Sequence, residues 1–549
     1  MSPSEKTTLA GILTAAVILT AIVVSLPVET LVGVVPDDAF YYLAIGRHAA
    51  TSGHPSFDGE NPSSGFHPAW MLAVTAAAYC FPGRVELLRA VLTMSFAFHI
   101  AAGFLLFRIF KRFLSGQAAA MAAGVWLFSY LPLLAAAFAL ETSLYCFAFL
   151  LSYSVYLTRI EPYLHRTQPE KTRQKQALMR LPTRSLISFG VVLGFCILAR
   201  TEGIVLLACT AGWLGINSLA ERLAWRNVFE SVRRGFILCI AALATISPWL
   251  VYSLHKFGTI RQASGTMKTL WMQEQSARLG IGDLLGNYAV RYAQWLAFST
   301  PWTWNGGFSG AAAAMTAVWL GIFFGVIVFI KRCSAEQRRS IANVLPAVIY
   351  PLLHVAAAGV IYCVFFADVQ CWYLALPYLE CFLAIVIFGG AIYTVSVREK
   401  QENRRPVKVL AVAAVLTLLG LVRFGQTLYA GYWPWQRDVY AQIKPVEKLL
   451  PPAAKIGCFN AGIPGYFGHR TVVNLDGLVN DAVVPYWREK RFDDYLRAAG
   501  IDAIVDEELS LSRAKRFSRD FPPLREKARF HLTNFTSDTR FVWLLRDVQ

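Results

Sequence analysis

Two adjacent aspartates, Asp37 and Asp38, stand directly after the first long apolar run of the chain. Paired carboxylates beside an apolar segment suit two kinds of chemistry. One carboxylate can act as a general base with a pKa shifted by its surroundings, and a pair can hold a divalent cation. Capping of the following helix is the alternative interpretation, and it explains one aspartate better than two. The role of the pair therefore depends on the elements that position it.

The composition shows that those elements lie in a membrane. Of 549 residues, 56% are hydrophobic and only 16% are charged, which is too apolar for a soluble protein of several domains. Apolar runs such as 8–26, 235–255 and 372–397 reach the roughly 20 residues that a helix needs to cross the hydrocarbon core. The sequence therefore predicts a polytopic α-helical protein of the cell (inner) membrane.

The formal charge of +17 is distributed in a way that excludes nucleic-acid binding as its explanation. The basic residues occur in short segments between apolar runs, each with a net charge of +3 or +5, and these segments account for the whole excess. The positive-inside rule places all of them in the cytoplasm, so the charge is a topology signal. The segments are 108–112, 159–184, 222–234, 331–339 and 398–408.

This charge pattern places the two aspartates outside. Residues 1–7 lie inside, the first span covers 8–33, and 36–66 emerge on the outer face. The 16 residues of 67–82 are short for a span and would invert the basic segments, so they are predicted to form a juxtamembrane or re-entrant helix. About eleven spans follow from this threading. Those after the first are 85–107, 116–138, 142–158, 185–199, 203–220, 235–257, 308–330, 341–366, 372–397 and 407–425.

A polar tail follows the last span, and the same parity places it outside. Its strand-like runs include KIGCF (455–459) and TVVNL (471–475), and FDDYLRAAG (492–500) has the pattern of an amphipathic helix. The sequence therefore predicts two domains: a transmembrane domain over 1–425, which carries Asp37 and Asp38, and a small extracytoplasmic α/β domain over 433–549.

Several other ionisable residues lie within or at the ends of apolar spans on the same outer face. Charged groups at this depth are costly unless they are paired or hydrated, so each is a candidate for function. The cytoplasmic segments show no such concentration of acids. The residues are Asp37, Asp38, Arg47, Glu141, Arg200, Glu202 and Asp368.

A resemblance to a known superfamily covers most of the chain and is most specific in the first external loop. That loop contains DDAFYYL (37–43), Arg47, FDGE (57–60) and GFHPAW (65–70). These features resemble the GT-C superfamily of glycosyltransferases, including bacterial members such as the mycobacterial terminal arabinofuranosyltransferases. Later segments are similar to others that recur in the superfamily: LETSLYCF (140–147), LARTEGIVLL (198–207) and DVQCWYLALPYL (368–379). NAGIPGYFGHRTVVNLDGLVND (460–481) resembles the external domain of uncharacterised bacterial relatives.

The resemblance implies a reaction of cell-envelope and cell-wall biogenesis. A sugar passes from a polyprenyl-phosphate donor to a glycan or lipid acceptor outside the cytoplasm, with inversion at the anomeric carbon. An acidic residue matching Asp37 or Asp38 is the catalytic base in that superfamily, and Asp37 is favoured because it stands first after the span. Asp37 would take the proton of the acceptor hydroxyl while the lipid phosphate leaves.

The leaving phosphate needs positive charge, because electrostatic stabilisation is commonly the largest catalytic contribution. Arg200, Arg47 and His67 are the candidates for binding the donor phosphate. A structural pair with Glu202 or Glu141 is the alternative for Arg200, and packing within the loop is the alternative for His67.

Further candidates support the acceptor or the base. Glu141 is a candidate to assist the base, orient the acceptor or bind a cation, and a divalent cation (Mg²⁺, Mn²⁺ or Ca²⁺) held by Asp38 and Glu141 stays open. Trp372 and Tyr373 suit either sugar stacking or an aromatic belt at the membrane surface. The remaining supporting candidates are Glu202, Asp368, Asn474 and Asp476, and the last two also suit a turn.

A membrane transporter or flippase of lipid-linked glycans is the competing interpretation. Such proteins carry intramembrane charges, but they commonly show related halves or broken helices at the bilayer midplane. This sequence shows no internal repeat, and its charges gather at one face.

Overall fold

The structure, a computed structural model, describes residues 2–163, 181–219, 225–296, 330–366, 369–400, 407–533 and 539–545, with helical positions 321, 325 and 328. Within these residues seven helices are long and apolar enough to cross a membrane. They become eight if Gly116–Phe128 and Tyr130–Ala137, bent by 54° at Ser129, form one span. The chain is therefore a helical membrane protein, as its composition predicts.

The helices that precede the C-terminal tail follow the predicted spans closely. The helix over Tyr156–Ile160 is of π type, and short 3₁₀ helices cover Glu161–Tyr163 and Cys371–Leu374. The α-helices are α1 Pro3–Ser25, α2 Val28–Val32, α3 Asp37–Ser52, α4 Pro68–Cys80, α5 Arg84–Phe110, α6 Gly116–Phe128, α7 Tyr130–Ala137, α8 Thr142–Val155, α9 Thr183–Ala199, α10 Gly203–Leu219, α11 Trp225–Phe257, α12 Ala263–Ser276, α13 Ile281–Leu296, α14 Ala335–Ala342, α15 Leu345–Phe365, α16 Ala375–Lys400 and α17 Val407–Ala430.

Three of the eleven predicted spans are not among these long helices. Two correspond to α9 and α10, which are apolar but only 17 residues long. The third, 308–330, lies almost entirely outside the described residues, so the count of eleven stays a prediction. The predicted non-spanning segment 67–82 forms α4, whose 13 residues extend about 20 Å, short of the roughly 30 Å hydrocarbon core.

The first external loop is built around α3, which lies between the membrane helices and the C-terminal tail. Pro36 is the residue at its N-cap, and no side chain caps the helix there. The helix ends at Gly53, whose φ of 73° is the left-handed conformation that glycine adopts without strain. Most of α3 from Ala39 to Gly46 is buried, which explains its apolar composition although it does not cross the membrane.

The tail folds into a five-stranded mixed sheet with short helices. The elements are α18 Trp435–Leu449, β1 Ile456–Cys458, α19 Gly462–Phe467, β2 Val472–Asn474, α20 Val484–Arg488, α21 Phe492–Ala498, β3 Ala503–Glu507, α22 Glu508–Lys515, β4 Arg525–His531 and β5 Thr539–Leu544, with a 3₁₀ helix at Asp481–Val483. The strand order is β2-β1-β3-β5-β4, in which β1 pairs parallel with β2 and β3, and β5 pairs antiparallel with β3 and β4.

The first external loop joins this sheet to the membrane helices. The Ser64 hydroxyl and backbone N–H both donate to the Asp481 carboxylate at 2.6 Å. Gly65 lies so close that a Cβ on it would be 1.8 Å from the carbonyl oxygen of Leu478. At the base of the tail, the Gln436 amide donates to the carbonyls of Val32 and Val35 at 2.7 Å. These contacts fix the start of α3 against the tail.

Candidate active site

Asp37 is the first residue of α3, yet its carboxylate contacts a different helix. Its Oδ2 accepts the backbone N–H of Gly462 at 2.9 Å, and its Oδ1 accepts that of Ile463 at 2.8 Å. A Cβ at Gly462 would lie 2.2 Å from the Asp37 carbonyl oxygen, so only glycine allows this approach. The carboxylate therefore binds the start of α19 and does not cap its own helix.

The environment of Asp37 makes it a stronger base than an ordinary aspartate. The side chain is only 9% exposed, and burial raises its pKa to about 6 against the opposing effect of the two N–H donors. The nearby carboxylates of Asp38 and Asp506 contribute to this increase. Asp37 is therefore mostly ionised at neutral pH, with its orientation fixed by two hydrogen bonds.

Both aspartates open onto a cavity of about 290 Å³ between the first external loop, α12 and the sheet. Four acids, one lysine and one arginine line the cavity together with a group of indole rings. The charged residues are Asp37, Asp38, Asp476, Glu507, Lys268 and Arg513, and the indole rings are those of Trp271, Trp372, Trp433, Trp435 and Trp487. Such a lining combines the carboxylate, cation and aromatic surfaces that suit a charged saccharide ligand.

Lys268 is the lysine of this cavity, and the sequence did not identify it. It lies half-buried on α12, donates to the Tyr373 hydroxyl, and has its Nζ 5.0 Å from the centre of the Tyr373 ring. Its ammonium interacts electrostatically with Asp38. No motif marks Lys268, because α12 belongs to an external segment between spans in which the sequence predicts no element.

Asp38 interacts with other charged groups than Asp37 does. Burial raises its pKa, Lys268 opposes that effect, and the carboxylate of Glu141 adds to it. Asp38 therefore connects the cavity with a second group of charges, which lies at the start of α8 and the end of α9.

That second group is a triad of Glu141, Arg200 and Glu202. Arg200 Nη1 donates to Glu141 Oε1 at 2.7 Å, and Nη2 donates to Glu202 Oε1 at 2.5 Å. Although burial raises it, the Coulomb and hydrogen-bond interactions with Arg200 lower the pKa of Glu202 to about 2. The guanidinium also donates to the Tyr362 hydroxyl at 3.5 Å, and its carbon lies 4.9 Å from the centre of the Tyr373 ring.

For Arg200, the sequence left two interpretations open: binding of the donor phosphate, or a structural pair with Glu202 or Glu141. The triad shows that Arg200 pairs with both glutamates. Only 3% of Arg200 is exposed, and its guanidinium is bound to two glutamates and does not line the larger cavity. Glu141 is buried as well, and its Oε2 has no hydrogen-bond partner among the described residues. A buried ion pair is held together strongly once formed, because either partner alone would be an uncompensated charge.

His67 lies beside the triad as a neutral group. Its Nδ1 accepts the backbone N–H of Thr201 at 3.4 Å, which places the imidazole proton on Nε2. That Nε2 lies 3.7 Å from Glu141 Oε1. Burial lowers the pKa of His67, so at neutral pH it can donate a hydrogen bond but brings no positive charge.

The two candidates from the tail behave differently. Asn474 is completely buried; its amide donates to the Tyr41 hydroxyl at 3.2 Å and accepts the N–H of Gly477 at 3.0 Å. Asn474 is therefore a turn residue that does not reach the cavity. Asp476 does line the cavity, and burial raises its pKa to about 8, with contributions from Asp38 and Asp37. Asp476 is mostly protonated at neutral pH.

The other site residues that the sequence predicted do not all lie at the cavity that contains Asp37. Trp372 lines the cavity, and Tyr373 connects Lys268 with Arg200. Asp368 lies outside the described residues. Arg47 is on α3 ten residues beyond Asp37, about 15 Å along the helix axis, and it faces another cavity. The structure therefore does not bring Arg47 to the aspartates.

Asp38 and Glu141, the predicted ligands of a divalent cation, lie near a positively charged side chain. Among the described residues, no group of three or more His, Cys, Asp or Glu side chains is arranged to hold a metal ion. Asp38 and Glu141 interact with each other, but the ammonium of Lys268 already provides positive charge beside Asp38. A divalent cation held by Asp38 and Glu141 stays a prediction.

Comparison with known proteins identifies a solved structure with a similar fold. Residues 436–543 match a family described as a domain of unknown function (DUF8728). A search of curated proteins gives no match. The chain is similar to the structure of ArnT from Cupriavidus metallidurans bound to undecaprenyl phosphate, with 13% identity and a TM-score of 0.50 over 97% of this chain and 98% of that one.

A second similar structure is an archaeal enzyme. It is the oligosaccharyltransferase AglB from Archaeoglobus fulgidus in complex with an inhibitory peptide and a dolichol-phosphate, with 13% identity and a TM-score of 0.46 over 93% of this chain and 70% of that one. The near-complete overlap with ArnT shows that the chain shares the overall fold of that protein, in agreement with the fold that the resemblance of its first external loop implied.

The triad predicts how strongly the protein depends on Arg200. Arg200→Gln leaves Glu141 and Glu202 buried without their counterion, so it should destabilise the fold by about 3–5 kcal/mol. Thermal unfolding in detergent, followed by tryptophan fluorescence, measures this as a large fall in Tm. The double change Arg200→Gln with Glu202→Gln should recover part of the loss.

Arg529 provides the control, because it pairs with Glu526 on an exposed strand. Arg529→Gln should unfold at the wild-type temperature. An unchanged Tm in Arg200→Gln would mean that the triad does not stabilise the fold.

Proposed function

We propose that this chain is an inverting glycosyltransferase. It would move a sugar from a polyprenyl-phosphate donor to a hydroxyl of an extracytoplasmic glycan or lipid acceptor. The observation that carries the proposal is the Asp37 carboxylate, held by two backbone N–H groups at a cavity that also contains Lys268 and five tryptophans. The GT-C fold supports it, because ArnT, which shares that fold, is bound to undecaprenyl phosphate.

Asp37 is the proposed general base. Its pKa of about 6 keeps it ionised at neutral pH while leaving it basic enough to accept a proton. The acceptor oxygen attacks the anomeric carbon as its proton passes to Asp37, and the bond from that carbon to the phosphate oxygen breaks. The electron pair stays on the lipid phosphate, which leaves as the free polyprenyl phosphate.

Lys268 is proposed to stabilise that leaving phosphate. It is the lysine that lines the cavity with Asp37, and the hydroxyl and ring of Tyr373 hold its ammonium. A fixed positive charge beside a developing negative one lowers the barrier without reorganisation. Lys268 takes the role that the sequence assigned to Arg200 and Arg47, whose side chains lie elsewhere.

The acceptor is proposed to lie against the tryptophans and Asp476. Because Asp476 has a pKa near 8, its protonated form can donate a hydrogen bond to an acceptor oxygen at neutral pH. Asp37 and Asp476 are thus two carboxylic groups whose surroundings give them opposite protonation states, which is typical of acid and base assignments in active sites. Trp372 provides an apolar face on which a sugar ring can stack.

Location and domain organisation belong to the same proposal. The membrane domain over 1–425 would sit in the cell (inner) membrane, with the cavity and the domain over 433–549 on the extracytoplasmic side. The competing interpretation, a transporter or flippase of lipid-linked glycans, accounts for the spans but not for an aspartate held beside a lysine and an aromatic cavity.

Donor consumption by the purified protein tests the proposal. Wild-type protein incubated with polyprenyl-phosphate sugars and a glycan acceptor should release free polyprenyl phosphate, and Asp37→Asn should reduce release by at least about 100-fold. Asp58→Asn is a matched control, because the Asp58 carboxylate also accepts two backbone N–H groups in the same loop.

The two variants separate folding from catalysis. Both lose acceptor oxygens for backbone donors, so both can lower Tm, but only Asp37→Asn should lose activity per folded molecule. Full activity in Asp37→Asn would refute the proposed base. Movement of labelled lipid across the membrane without donor consumption would establish the transporter instead.

Lys268 generates a separate kinetic expectation. Lys268→Gln should lower kcat/KM for the donor by about 10²–10³, as the loss of one electrostatic contact to the leaving group does in other active sites. Lys256→Gln, at the exposed end of α11, should leave kcat/KM unchanged. Equal values for the two variants would exclude Lys268 from the donor site.

A further inference from the structure

A second cavity lies apart from the one that contains Asp37. It has a volume of about 210 Å³ and lies between α3, the start of α5 and the segment that joins α19 to β2. It shares no lining residue with the larger cavity. Its charged and titratable lining consists of Arg47, His48, Asp58, Arg84, His469 and Arg470.

Arg47 is the residue that most clearly lacks a counterion. It is half-buried on α3, and its guanidinium carbon lies 6.0 Å from the centre of the Tyr466 ring. Its guanidinium makes no hydrogen bond or ion pair with the residues that the structure describes. An arginine held over an aromatic ring at a cavity wall leaves its planar set of donors available to a ligand.

Arg84 faces the same space from the first turn of α5. Its Nη2 donates to the carbonyl of Gly468 at 2.8 Å and its Nη1 to that of Phe467 at 3.3 Å, which fixes the guanidinium. Its Nε is buried without a hydrogen-bond partner in the described part of the chain. Arg47 and Arg84 lie close enough to repel each other. Two like charges at one cavity are stabilised by an anion between them.

The acids nearby offset only part of this positive charge. The Asp58 carboxylate, which also lines the cavity, accepts the N–H groups of Glu60 and Asn61 and the Ser56 hydroxyl within its own turn. Glu447 interacts electrostatically with Arg84, and it also accepts the backbone N–H of His469 at 2.6 Å. Three arginines against one aspartate leave the lining positively charged.

We propose that this cavity is a phosphate-binding site at the membrane surface, separate from the catalytic cavity. Planar guanidinium groups match the geometry of phosphate oxygens, and Arg47 and Arg84 approach the cavity from two elements. The phosphate of a lipid headgroup fits the position best. Arg84 is the first residue of a membrane-spanning helix, and Tyr79 and Phe81 just before it are 67% and 46% exposed. Such aromatic residues are typical of the bilayer interface.

Ligand-induced stabilisation of the purified full chain tests the site without any transferase assay. Short-chain phosphatidic acid in detergent should raise Tm in a saturable way, at constant ionic strength set with chloride. Arg47→Gln should weaken this binding by at least about tenfold. Arg529→Gln, which removes an exposed arginine of β4, should bind as the wild type does.

Two further arms identify the source of the phosphate and the site. Inorganic phosphate that competes with phosphatidic acid in the wild type, but not in Arg47→Gln, would show that the phosphate group alone is recognised. No competition would assign recognition to the lipid headgroup with its chains. Lys268→Gln should keep phosphatidic acid binding, because Lys268 belongs to the other cavity. Equal affinities in Arg47→Gln and Arg529→Gln, loss of binding in Lys268→Gln, or no stabilisation of the wild type would overturn the proposal.

Discussion

The contact on which the rest of the structure depends is the pair of hydrogen bonds between the Asp37 carboxylate and the N–H groups of Gly462 and Ile463. It joins the first external loop to the C-terminal sheet, and at the same time it orients the proposed base. The N-terminus of a helix stabilises a carboxylate, while burial makes that carboxylate more basic. One interaction therefore serves both the assembly of the protein and its proposed chemistry.

The charges around this contact are separated by function. Arg200 is buried and paired with two glutamates at the ends of the membrane helices. Lys268 lines the cavity and interacts electrostatically with Asp38, which is why it is the proposed partner of the leaving phosphate. A buried, paired arginine and a half-buried lysine thus have a structural role and a proposed catalytic role, whereas the sequence assigned the phosphate to Arg200, Arg47 and His67.

The sequence predicted the fold and several of the residues that line the cavity, and the errors have physical reasons. Hydrophobic length and charge asymmetry predicted the membrane helices and the short helix α4, because both act locally. β4 was missed because its exposed, charged residues lack the alternation of a half-buried strand. Lys268 and the binding of Asp37 to α19 were missed because they join segments hundreds of residues apart. Arg47 was placed beside the aspartates because spacing along one helix does not show which way a side chain faces.

The most direct measurement of the central claim is the pH dependence of kcat/KM for glycosyl transfer. The proposed reaction needs Asp37 ionised and Asp476 protonated, so kcat/KM should rise through about pH 6 and fall through about pH 8. Because the Asp38 carboxylate raises both pKa values, Asp38→Asn should move both limbs to lower pH. An acid limb near pH 4, or limbs that stay in place in Asp38→Asn, would contradict a buried Asp37 as the base.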